Sequence, residues 1–291
     1  MWRAVPMPPE GPFWLAWSVD PFTLFVLLGA ASLYAAGLVR VRRAGGGYPR
    51  GAVVAWFGGV AVLALALASP VDIYADVSFT VHMAQHLLLT LVAPPLLALG
   101  APVTLALRSL SPGRARRVSS ALGSRPIAFL TRPIVAWALF AGVPWVVHFS
   151  PLFDLALRSD VWHAIEHALW VTTSLFLWWP VVGVDPSPHP WSYPARLLTL
   201  FLAMPAMSFL SLAIFVASRP LYPTYVAVAP PWGPEALEAQ RDAAVLMWLT
   251  SAFLLVPAML LVAASWKRHD DERQRRLEAR FDEDAGLTPR V

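Results

Sequence analysis

The stretch that decides the fold is VHMAQHLLLTLVAPPLLALG, residues 81–100. Most of it belongs in hydrocarbon. Yet it opens with two histidines four residues apart, His82 and His86. Any account of the protein has to explain two titratable, metal-binding side chains at the mouth of an apolar segment.

The rest of the chain supplies the setting. Of its 291 residues, 57% are hydrophobic and 14% charged, and the mean hydropathy is +0.58. An average soluble domain carries about 25% charged residues. Here the deficit is uneven, because long runs carry no charge at all. The composition is that of an integral membrane protein. The absence of cysteine excludes disulfides, thiolate metal sites and CxxC exchange chemistry.

A helix needs roughly 20 mostly apolar residues to span a bilayer. Seven segments qualify, near 20–40, 52–70, 79–100, 130–149, 161–183, 196–218 and 243–266. No alternating barrel pattern is present, so the expected fold is all-α, a polytopic membrane bundle of about seven transmembrane helices. Residues 1–266 read as one transmembrane domain and 267–291 as a charged cytoplasmic tail. Pro94-Pro95, Pro144, Pro205 and Pro257 fall inside spans, where prolines produce kinks. The first apolar run is too long for a cleaved leader. Arg40, Arg42 and Arg43 follow it directly, as suits an uncleaved anchor.

The cationic residues set the expected orientation. Loops 40–51, 101–132, 184–196 and the tail from 267 hold 18 of the 22 Lys and Arg. The opposite set holds only Arg3, Arg158, Arg219 and Arg241. The positive-inside bias then puts the tail in the cytoplasm and the N-terminus outside. The basic loops are topology signals and contacts to anionic lipid rather than a nucleic-acid surface, despite a pI near 9.8.

On that topology the third span runs inward from His82 and His86. The fifth, beginning DVWHAIEHALW, runs inward from His163 and His167, and the fourth ends outside at His148. Five of the seven histidines converge on the outer leaflet; His189 and His269 do not. Residues i and i+4 of a helix share a face, with Cβ atoms about 6 Å apart, so each HxxxH pair can bind one ion. Imidazole donors suit zinc, copper, iron or nickel rather than calcium or magnesium. Met83 and Met247 are candidate soft ligands that would favour Cu(I). Glu166 is an intramembrane carboxylate, a type that is expensive and usually functional. It could orient a histidine by accepting its second N–H. Met204 and Met207 lie near mid-span, away from the cluster, and read as packing.

Blander and sharper readings both exist. A single HxxxH is more often a packing pair; two pairs with His148 at one depth favour a metal site. Glu166 could simply sit near the positive end of its helix. HAIEH at 163–167 also has the letters of the H-x-x-E-H metallopeptidase pattern, which would make the chain a metal-dependent membrane hydrolase. HMAQH lacks the glutamate. Histidines from two helices could instead ligate a b-type haem.

HMAQHLLLTLVAPPLLALGAPVTLALR, then WVVHFSPLFDLALRSDVWHAIEHALWVTTSLFLWWPVVGVDP, then PLYPTYV and the Q-x-x-A-A-x-x-MW region up to 248 resemble the CtaG family of caa3-type cytochrome c oxidase assembly factors. The likeness runs from about 55 to 266, in order. It implies a non-enzymatic assembly factor of the cell membrane that handles copper on the extracytoplasmic side. Its partners would be cytochrome c oxidase subunits or a copper chaperone. By the same resemblance His82, His86, His148, His163 and His167 are the family's histidines, and Gln240, Met247 and Trp248 match its last motif. The sequence departs from the pattern at Ala239 and Ala244, where the family tends to carry aspartate and glycine.

Overall fold

The computed structural model describes residues 13–17, 20–228, 230 and 233–284; Arg3 and the end of the tail lie outside them. The described chain is helical, with no strand among those residues. In order the helices are α1 (Pro21–Arg43), α2 (Arg50–Leu67), α3 (Pro70–Ala75) and α4 (Phe79–Leu87). A π-helical turn (Leu88–Val92) leads into α5 (Ala93–Leu99), followed by α6 (Pro102–Ser109), α7 (Pro112–Leu122) and α8 (Arg125–Leu130). Next come α9 (Pro133–His148), α10 (Leu152–Leu157), α11 (Asp160–Val182), α12 (Tyr193–Phe215), α13 (Pro223–Val228) and α14 (Ala236–Asp284).

Many of the prolines open helices. Proline stands at the first or second position of α1, α3, α5 to α9 and α12. Its fixed φ is already helical there, and its missing N–H would have had no partner anyway. Asp20 adds a side-chain cap to α1, accepting from Thr23 N at 2.6 Å.

Five helical stretches are long and apolar enough to cross a membrane: Pro21–Arg43, Arg50–Leu67, Phe79–Ser109, Tyr193–Phe215 and Ala236–Phe281. The other two expected spans correspond to α9 and α11. α9 is apolar but only 16 residues long. α11 has 23 residues, but His163, Glu166, His167 and a run of tryptophans lower its hydropathy. Its buried stripe runs His163, Glu166, Trp170, Ser174 and Leu177, at spacings of three and four. The polar residues of α11 thus face the bundle, where a lipid-facing helix would be apolar.

α4, the π turn and α5 form the central strut. α4 packs on α3 and α14, and α5 on α2 and α11; α9 contacts α11 and α12, and α12 lies along α14. α1 is peripheral. It reaches α6 through Tyr34, Leu38, Val41 and Leu105. The Tyr34 and Tyr48 hydroxyls donate to Gly100 O (2.7 Å) and Ala101 O (2.6 Å), fixing the corner where Ala101 takes a left-handed φ of 49°. Burial pushes the Tyr48 phenol up, so it stays a donor. α14 continues past residue 266 without a break, and residues 267–281 are its exposed extension.

The π turn has a specific cause. The Thr90 carbonyl would accept from residue 94 in an α-helix or from residue 95 in a π-helix, and both are prolines. Trp178 of α11 replaces them, its indole N–H donating to Thr90 O at 3.0 Å. One proline pair therefore bends α4 and ties α11 to the bend. Trp178→Phe should lower stability by about 1–3 kcal/mol, the cost of a buried carbonyl left unpaired. The loss should shrink in a Pro94→Ala background, which returns the backbone donor. A thermal-unfolding double-mutant cycle in detergent measures the coupling, and an additive cycle would refute this account.

Candidate metal centre

α4 and α11 present their histidine pairs to each other, and the end of α9 closes the third side. The His82 and His86 rings meet edge to face with centres 4.2 Å apart, and His163 and His167 lie tilted at 4.1 Å. Across the helices His82 lies 5.5 Å from His163, and His86 lies 6.0 Å from His167 and 6.5 Å from His148. The five sequence-selected histidines are one cluster. Ligand atoms of His82, His86 and Glu166 all lie within 4.8 Å of one another, a spacing at which one ion can be shared. The nearest Glu166 oxygen is 3.9 Å from His86 Nε2.

The cluster is not open to the outer face, as the sequence led one to expect. His82, His86, His148, His163 and Glu166 are 0–5% exposed. The physical reason is an aromatic shell that periodicity does not reveal. Phe153 of α10 lies against His82 (5.1 Å), His148 (5.2 Å) and His86 (6.0 Å). Trp170 covers His86 at 4.8 Å, and Tyr222 packs on Phe153 at 4.3 Å. Burial pushes the Tyr222 phenol up, so it remains neutral beside the cluster.

Hydrogen bonds fix which nitrogens face inward. Tyr225 donates its only hydroxyl hydrogen to Ala75 O at 2.7 Å. The 2.8 Å contact between Tyr225 O and His82 Nδ1 must therefore use a proton on Nδ1. That leaves His82 Nε2 as the lone-pair atom, 2.8 Å from His86 Nε2. His148 follows the same logic, with Nδ1–H donating to Pro144 O at 2.8 Å. His148 Nε2, His86 Nδ1 and both Glu166 oxygens are buried without a hydrogen bond among the described residues. A buried polar atom with no partner is costly. Several around one point, all lone-pair donors or able to become so, fit a cation.

The accessory candidates separate. Met83 and Met247 are 1% and 3% exposed and line a cavity of about 30 Å³ beside His86 and His148. Met207, expected to lie away from the cluster, lines the same cavity. α12 carries Met207 there by packing against α14 and α9, which position along the chain does not report. Gln240 plays a different part. Its amide donates to Ile214 O (3.0 Å) and accepts from Leu221 N (2.7 Å), which holds the segment before α13 against α14. Asp154 anchors the same segment, accepting from Thr224 N (3.1 Å) and Thr224 Oγ1 (2.7 Å) and pairing with Arg158 at 2.6 Å.

Comparison with known proteins adds the family. The chain is 33% identical over 280 residues to an uncharacterized protein of Mycobacterium leprae (strain TN), covering 91% of this chain and 42% of that one. It is 34% identical over 272 residues to uncharacterized proteins of Mycobacterium bovis and Mycobacterium tuberculosis, covering 89% of this chain and 40% of each. The chain thus spans about two fifths of the length of these relatives. No solved structure matches it. Residues 32–269, which include every histidine of the cluster, match the family described as cytochrome c oxidase caa3 assembly factor (Caa3_CtaG), and the chain belongs to that family.

Proposed function

We propose that this chain is a membrane factor that holds copper in its histidine cluster and passes it to a caa3-type oxidase subunit or to a copper chaperone. Family membership supports the assembly role. The observation that carries the metal reading is the buried set of His82, His86 and Glu166 donor atoms within 4.8 Å of one another. Each nitrogen donor is neutral and the carboxylate can supply one negative charge, so a bound cation is partly compensated inside a medium of low dielectric. His163, His167 and His148 would complete or exchange ligands. Imidazole with carboxylate is a donor set that copper accepts.

On this reading the chain crosses the cell membrane seven times, with α9 and α11 as the two spans of low length or hydropathy. The distribution of 18 against 4 cationic residues supports a cytoplasmic tail and an extracytoplasmic cluster. Copper would then reach an oxidase site on the outer face without crossing the bilayer.

The two rival chemistries fit less well. A haem held by histidines of two helices needs a porphyrin-wide slot, far larger than the cavity of about 30 Å³ beside His86 and His148. A hydrolase built on His163, Glu166 and His167 needs room for its substrate. The cavity adjoining His86 has about 30 Å³, little more than a water molecule's share of space.

Purified protein loaded anaerobically with Cu(I) and washed should retain about one or two coppers per chain and show no Soret band. A His82→Ala/His86→Ala variant, present at normal level in the membrane, should lose that copper. Equal retention in the variant, or a Soret band in the parent, would refute the reading. Tyr225→Phe tests the orientation of His82 by itself. Without the Tyr225 oxygen His82 loses its tautomer lock, and copper affinity should fall roughly 10–100-fold. Competition with a chelator measures it, and an unchanged affinity would remove Tyr225 from the site.

A further inference from the structure

The cavity beside His86 and His148 goes beyond the cluster and rests on the copper reading above. Three helices contribute a thioether to it: Met83 from α4, Met207 from α12 and Met247 from α14. These sulfurs are carried by side chains only 1–7% exposed. The other lining residues include Thr90, Phe140 and Ser174, which place the cavity deeper in the bundle than the His82–His86 contact.

Methionine fills irregular gaps, so three of them in a core are not in themselves a site. Two further observations set this cavity apart. It has a volume of about 30 Å³, suited to one ion or one water. And three of its lining residues carry buried polar atoms without a hydrogen bond among the described residues: His148 at Nε2, His86 at Nδ1 and Ser174 at Oγ. A gap filled only for packing would not collect imidazole nitrogens.

We infer that this cavity is a second metal site, selective for Cu(I), made of the Met83, Met207 and Met247 thioethers with His148 and the Nδ1 side of His86. Thioethers are neutral, polarizable and soft, so they select Cu(I) over Cu(II) and over zinc. The His82–His86–Glu166 set is harder and carries a charge. The two sites therefore differ in kind, and His86 stands between them with Nε2 toward one and Nδ1 available to the other. A monovalent ion could pass from one side of that imidazole to the other, with the ring proton moving from Nδ1 to Nε2 as the ion leaves Nε2 for Nδ1. No change of oxidation state is needed.

The test uses the full chain in detergent, loaded anaerobically with Cu(I), and reads the copper X-ray absorption spectrum. Sulfur scattering is expected in the parent. It should vanish in a Met83→Leu/Met207→Leu/Met247→Leu variant, with Cu(I) retention against a chelator falling roughly tenfold or more, a lower bound taken from losing an outer-sphere partner. Leucine conserves volume, so the fold should hold, and the parent spectrum decides the matter even if the variant does not fold. Cu(II) retention, which depends on His82 and Glu166, should be unchanged in the methionine variant. Nitrogen and oxygen scattering alone in the parent would overturn the thioether site, leaving the cavity as a water position, while the histidine copper reading stands. Retention of neither Cu(I) nor Cu(II) would overturn both.

Discussion

The structure turns on a carboxylate and a set of imidazoles withdrawn from water. A charged side chain at the centre of a helix in a bilayer costs about 2.5–3.5 kcal/mol even on permissive scales. Glu166 is an ionisable side chain buried in the first third of α11, in the same stripe as Trp170 and Leu177. The shell of Phe153, Trp170 and Tyr222 excludes water and so raises that penalty, whereas a cation shared with His86 Nε2, 3.9 Å from the nearest Glu166 oxygen, would offset it. A packing role alone would have been served by leucine.

The same accounting governs the backbone. Prolines inside the bundle remove donors, and the structure supplies others from far along the chain. Trp178 serves Thr90 O in this way, and Trp191 serves Thr131 O, at the C-cap of α8, at 2.9 Å. His148 turns its Nδ1–H to Pro144 O, so a helix carbonyl orients a candidate ligand. These bonds make the site's geometry a consequence of the helix bends. The π turn falls directly after His86, in the strut that carries two of the five histidines.

Much of this was legible in the sequence because helices are periodic. The i, i+4 spacing put His82 with His86 and His163 with His167, and the charge bias put both pairs and His148 at one end. Glu166 stood out because acids are rare in such segments. What was not legible comes from non-local packing. Met207 looked remote because its place was measured along the chain, while α12 brings it beside Met83 and Met247. The burial of the cluster depends on Phe153, Tyr222 and Tyr225, which lie in short helices and connections with no period to read. Gln240 carried a motif, and the structure shows its amide engaged with backbone on both ends. The tail looked like a separate piece because composition changes at residue 267, although α14 does not break there.

Burial has a consequence for how an ion would be exchanged. A site open to the outer face could load by diffusion, but one sheathed in aromatics cannot. The sheath includes the segment from Leu221 to Val228, which brings Tyr222 onto Phe153 and Tyr225 onto His82. Besides the burial of Tyr222, Tyr225 and Val228, hydrogen bonds hold this segment: Gln240 at Leu221, Asp154 and Arg158 at Thr224, and Ala75 O at Tyr225. Hydrogen bonds of this kind are each worth about 0.5–1.5 kcal/mol net, and exposed ion pairs less. Local opening therefore costs far less than unfolding the bundle. It would also withdraw the Tyr225 hydroxyl from His82, weakening that ligand as the path to solvent appears. A partner that binds the segment in its open form would couple docking to release, and the ion would stay enclosed until a recipient is present.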